Sequence, residues 1–168
     1  MHDLFEYIGK LELIAFFSAF PLVYYIVFYI ASDIPWIHSP HIKKLPVYLP
    51  RAYALTVTLY CAMKINEYLP VHISTFSFDL TSPYFYLKGW AFAGLLFWLP
   101  GIRTKSKWAL VHSIPFILLI VYDFFNYYHH TIETEVLHNE MRLYFVSVLI
   151  NLVTLLMVAL YFGIRRKR

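Results

Sequence analysis

The chain has 168 residues, of which 60% are hydrophobic, 20% aromatic and only 14% charged. A water-soluble domain is about half apolar and about one quarter charged, so this composition excludes an ordinary soluble globule and points to lipid as the solvent. The net charge of +4 is not a nucleic-acid footprint, because the basic residues are split between loops and one tail, as membrane topology would place them.

No polar stretch is long enough for a separate soluble domain of about 50 residues, so residues 1–168 read as a single membrane domain. Cys61 is the only cysteine, which rules out an intrachain disulfide and a thiol metal cluster. Asp3 and Glu6 precede the first apolar run, where a signal peptide carries positive charge, and no small-residue cleavage site follows. That run is therefore expected to stay in the mature protein.

A helix crossing a hydrocarbon core about 30 Å thick needs about 20 mostly apolar residues. The run 13–31 meets this without a charge. The run 49–69 is interrupted by Arg51, Lys64 and Glu67, and Pro50 suits its first helical position. The run 83–99 contains Lys88, opens on Pro83 after a Ser82 cap and ends at Pro100-Gly101. The run 108–128 carries one charge, Asp123, and the run 143–164 carries none. Charges near the ends of the second and third runs can snorkel to the interface. The expected fold is an all-α integral membrane bundle of five transmembrane helices with short loops.

Charge orients it. With the C-terminus inside, ten of the 14 Lys and Arg are cytoplasmic: Lys43, Lys44, Arg51, Arg103, Lys105, Lys107, Arg165, Arg166, Lys167 and Arg168. Only Lys10, Lys64, Lys88 and Arg142 fall outside. The positive-inside rule then selects N-out, C-in. The tail Arg165–Arg168 reads as a topology anchor that can also attract anionic lipid. No internal repeat is evident, which argues against an inverted-repeat transporter.

Ionisable groups inside a membrane are functional candidates because they are expensive there. His112, Phe116, Leu119, Asp123 and Asn126 follow one helical face, which is expected to be buried against protein. Asp123 lies roughly 22 Å along the helix from Trp108, in the outer part of the fourth run. A structural ion pair with Lys64, Lys88 or Arg142 is the preferred reading, and a proton or ion role is the sharper one. Ser147, Asn151 and Thr154 share a face of the last run, where hydrogen bonding between helices is preferred to a polar pathway. Lys64 and Glu67 stand three apart and suit a local pair. Gly89 and Ala93 form a small-xxx-small pair that suits close helix packing.

His129, His130 and His138 share the last outer loop with Glu133, Glu135 and Glu140, a composition that could hold zinc. A tight ligand motif such as H-E-x-x-H is missing. Residues 133–142 read better as a solvated helix start, acidic at its positive dipole end. His112 is the one convincing embedded histidine, whereas bis-His haem needs a second at its depth. No nucleophile elbow or P-loop is present. The expectation is no metal, no cofactor and no catalysis. The chain reads as an accessory or structural subunit of a larger membrane complex: a transport, respiratory or ion-driven motor assembly. Its partners would be the bilayer and other membrane subunits or copies of itself, and its place a prokaryotic inner membrane. Two alternatives stay open: a small transporter or channel lined by Asp123, Lys64 and Asn151, and a membrane redox or lipid-modifying enzyme using His112 and the outer histidines.

Overall fold

The computed structural model describes residues 2–33, 44–68, 83–102, 104–129 and 133–165, and within them the side chains of 7–31, 44–66, 85–102, 104–129 and 133–162. Every regular element among these residues is a helix, the form in which a segment satisfies its own backbone polar groups. In chain order they are α1 (His2–Phe17), α2 (Phe20–Asp33), α3 (Leu45–Tyr68), α4 (Pro83–Ala93), a 3-10 turn (Gly94–Trp98), α5 (Ser106–Tyr128) and α6 (Thr134–Arg165).

Three stretches are long and apolar enough to cross a membrane: Tyr7–Ala31, Ser106–Tyr128 and Thr134–Phe162. The first joins α1 to α2 and contains the expected run 13–31. The 32 residues of α6 rise about 48 Å, so this helix outreaches a hydrocarbon core of about 30 Å. The expected second and third crossings are helical but do not meet the same measure. The 24 residues of α3 are sufficient in length, but Arg51, Lys64 and Glu67 dilute their apolar character. The 11 residues of α4 and the five of its 3-10 extension rise only about 26 Å together. Length and composition thus support three crossings where five were expected.

The position of α3 explains its composition. Leu49, Ala52, Tyr53, Ala54, Thr56, Val57, Tyr60, Cys61 and Lys64 are all buried, because α6, α2, α5 and the 3-10 turn enclose this helix. Polar groups that face protein rather than lipid are tolerated. Around α3 lies an aromatic core. Phe17 stands 5.2 Å from Tyr60 and 4.7 Å from Phe116, and Phe20 stands 4.3 Å from Tyr53, centroid to centroid. Tilted and edge-on ring pairs of this kind add directional attraction to plain contact.

Pro50 is not at the first helical position but inside α3. It has no N–H to offer the carbonyl four residues back. That carbonyl, on Pro46, accepts instead from Ser106 Oγ at 3.1 Å, which ties the start of α5 to the start of α3. The glycines also differ from expectation. Gly89 has nothing within 4 Å of a Cβ built on it, whereas at Gly94 that atom would come 2.7 Å from Val57 Cγ2. Close approach to α3 therefore rests on Gly94. Gly94→Ala is expected to cost about 1–3 kcal/mol by overpacking. Gly89→Ala, mid-helix and unobstructed, should gain up to about 1 kcal/mol. Thermal midpoints of the two variants in detergent check this pair.

Candidate functional site

The face of α1 that enters the bundle runs through Gly9, Lys10, Leu13, Ile14 and Phe17, all buried. Their spacing is that of one helical stripe, and it carries Lys10 inside. Its ammonium meets Asp123 on α5 and lies 2.6 Å from Glu140 Oε1 on α6. All three residues are buried, at 6%, 3% and 0% exposure respectively. A second ion pair joins Lys64 on α3 to Glu12 on α1. Removing charges from water costs several kcal/mol each, repaid only by close opposite charge. Here that charge comes from other helices.

The partner of Asp123 is therefore Lys10, not Lys64, Lys88 or Arg142. Lys64 reaches Glu12, the end of the Lys88 side chain lies against Gly9, and Arg142 is exposed. The Glu67 side chain lies outside those described, and so does any local pair it makes with Lys64. One signal was available for Lys10: it stands three, four and seven residues before Leu13, Ile14 and Phe17 and so continues their stripe.

The α6 stripe repairs a broken helix. Between α1 and α2 the chain leaves helical geometry at Ser18–Ala19, just before Pro21, which has no N–H for the carbonyl of Phe17. In lipid such a break is tolerated only where protein re-satisfies the freed groups. The Ala19 N–H donates to Ser147 Oγ at 3.1 Å. Asn151 Nδ2 donates to the Phe16 carbonyl at 3.0 Å and to the Ser147 carbonyl at 2.8 Å. One turn further, Thr154 Oγ1 and Thr56 Oγ1 share a hydrogen bond of 3.1 Å. Ser147, Asn151 and Thr154 thus fasten α6 to the α1–α2 joint and to α3.

His112 fastens a third junction. Its Nε2–H donates to the Trp90 carbonyl at 2.7 Å, and Trp90 Nε1 donates back to the His112 carbonyl at 2.9 Å. The two rings stack at 5.0 Å and 16°. With the ring neutral, Nδ1 accepts from the Tyr53 hydroxyl at 2.7 Å. Both ring nitrogens are engaged, so a metal or haem iron could reach Nδ1 only by displacing Tyr53. The remaining wall is Phe97, Phe116 and Gly94, whose missing Cβ makes room for the His112 ring.

Of the outer-loop histidines, His129 closes the C-terminal end of α5 and His138 lies on α6, both exposed. His130 is outside the described residues. Among the described residues no group of three or more His, Cys, Asp or Glu is placed to hold a metal ion. The Arg165 side chain and Arg166, Lys167 and Arg168 also lie outside those described. Comparison with family models, curated proteins and solved structures finds no match to the chain.

Proposed function

We propose that the chain is a non-catalytic accessory or structural subunit of a larger membrane complex. In this reading five stretches cross the bilayer N-out, C-in, with α3 and α4 crossing inside a shell made by the other helices. The observation that carries it is how the intramembrane polar side chains are engaged. Lys10, Glu12, Lys64, Asp123, His112, Ser147, Asn151 and Thr154 each bind a neighbouring helix. Groups so engaged join helices rather than line a path. The outward faces of α5 and α6 are apolar, with Leu118, Phe125, Leu149, Leu156 and Leu160 exposed. Such faces suit lipid or the helices of partner subunits, because packing between helices in a bilayer is driven by shape rather than by exclusion of water. Transport, respiratory and ion-driven motor assemblies of a prokaryotic inner membrane all use small subunits of this kind.

The test is a mild-detergent pull-down through a C-terminal tag, read by mass spectrometry and native mass. Stoichiometric membrane partners are the expected result. A stable monomer that isolates with no other protein would count against the proposal. A homo-oligomer would favour transport, for which the buried Lys10–Asp123–Glu140 charges are the supporting observation, and loss of flux in Asp123→Asn would be the next thing to measure.

A further inference from the structure

Three charges meet where α1, α5 and α6 touch, and they do not balance. Lys10 supplies one ammonium, whereas Asp123 and Glu140 supply two carboxyl groups. Among the described residues, the other titratable and polar groups around them are few. Tyr7 and Glu12 belong to α1, and Glu12 is already paired with Lys64 of α3. Lys88 of α4 reaches α1 at Gly9. On α6, Asn139 and Glu140 stand beside Tyr7, and Tyr144 follows one turn later on the helix. With both acids ionised, the Lys10 cluster would hold one uncompensated negative charge in a site closed to water. Two carboxylates in one buried site do not both ionise easily. A charge left bare in such a medium is more costly than the loss of one hydrogen bond.

A second observation says which acid is short of partners. Glu140 is fully buried; Oε1 receives Lys10, but among the described residues Oε2 has no hydrogen-bond partner. An ionised carboxylate needs donors at both oxygens, and this one has donors at one.

We propose that the Lys10–Asp123–Glu140 cluster is a proton-binding site: it holds one exchangeable proton at neutral pH, carried on Glu140. The proton comes from water as H⁺ and converts the carboxylate to a carboxylic acid, so no other reactant is involved. Bound, it leaves a neutral cluster of one ammonium, one carboxylate and one carboxylic acid. Released, it leaves a net negative charge across the junction of three helices, which loosens the Glu140 side of that junction. The chain is then a subunit that reports pH or takes up a proton at this junction. The site needs no partner chain, since all three residues belong to this one.

The experiment is infrared spectroscopy of the full chain in lipid nanodiscs across a pH titration. Wild type at pH 7 should show the carbonyl stretch of a buried protonated carboxylic acid, and the band should vanish as pH is raised. Glu140→Gln should abolish it. Asp123→Asn should abolish it as well, because Glu140 then pairs one-to-one with Lys10 and ionises. Each variant keeps one balanced pair, so both should elute like wild type. Wild type without the band at pH 7 would overturn the proposal, and this reading needs no variant. Retention of the band in either variant would overturn the assignment to Glu140 or the charge argument behind it. If Lys88 balances the cluster instead, the wild-type band is absent.

Discussion

Lys10→Met should cost about 3–5 kcal/mol of stability, the largest effect of any single substitution argued from this structure. The substitution keeps the length of the side chain and removes its charge. Asp123 and Glu140 are then left facing each other with no cation, at 3% and 0% exposure. Breaking a buried pair is expensive because the surviving charge stays buried, and the cost is of that order. Neutralising the acids instead should be mild, at about 1 kcal/mol or less, because Lys10 keeps one carboxylate in either case. The triple variant Lys10→Met, Asp123→Asn, Glu140→Gln carries no charge and should recover most of the loss, since a neutral set of similar volume is often as stable as the ionic one. Unfolding in mixed detergent followed by tryptophan fluorescence measures all four proteins. A mild effect of Lys10→Met would mean that the cluster is reached by water and is not the closed junction described above. A triple variant as unstable as the single one would show that shape, rather than charge, holds the three helices.

The same residues show which parts of the fold were legible in the sequence. The apolar runs in α5 and α6 are legible directly, and both helices are long and apolar enough to cross a membrane. The pairing of Lys10 and Glu12, just before the first run, was not legible, for a physical reason. Lys10 and Glu12 look like the polar end of a helix when read alone, yet their partners come from residues 52 to 130 positions away. Only a stripe that continues through a charge hints at burial, and no local rule names the partner. Helix α3 reads as an interrupted apolar run because its neighbours enclose it, and enclosure removes the need for an unbroken apolar surface.

The polar stripe of α6 was legible as a face but not as a task. Spacings of four and three place Ser147, Asn151 and Thr154 together, and the structure buries all three. That the first two repair the joint at Ser18–Ala19 depends on where Pro21 breaks the helix, a long-range coincidence of two segments. Gly94 is similar. Its neighbour Ala93 and nearby Gly89 suggested close packing, but the close contact formed one residue further, where α4 tightens into the 3-10 turn. The metal reading of the outer histidines rested on composition alone, and composition does not place ligands around a point.

His112→Leu is the second large effect expected, at about 2–3 kcal/mol. Leucine fills much of the space and keeps the wall against Phe97 and Phe116. It leaves the Tyr53 hydroxyl and the Trp90 carbonyl without the partners they now have at 2.7 Å each. An orphaned buried polar group costs about 1–3 kcal/mol. Links between helices in membranes average nearer 0.6 and reach about 1.7 kcal/mol, which sets the lower total. Tyr53→Phe removes one of the two orphans. The double variant Tyr53→Phe, His112→Leu should therefore be less destabilised than the two single costs added together, by about 0.6–1.7 kcal/mol. Strict additivity would mean that the Tyr53–His112 contact contributes no coupling. Spectroscopy separates this structural role from a ligand role: if His112 held haem in the cell, purified wild type would carry a haem absorption band that His112→Leu removes. If His112 acts only as a fastener, its loss lowers the unfolding midpoint and leaves the visible spectrum unchanged. The hydrogen bonds on both ring nitrogens favour the second outcome, because a histidine that joins three helices has no free lone pair to offer an iron.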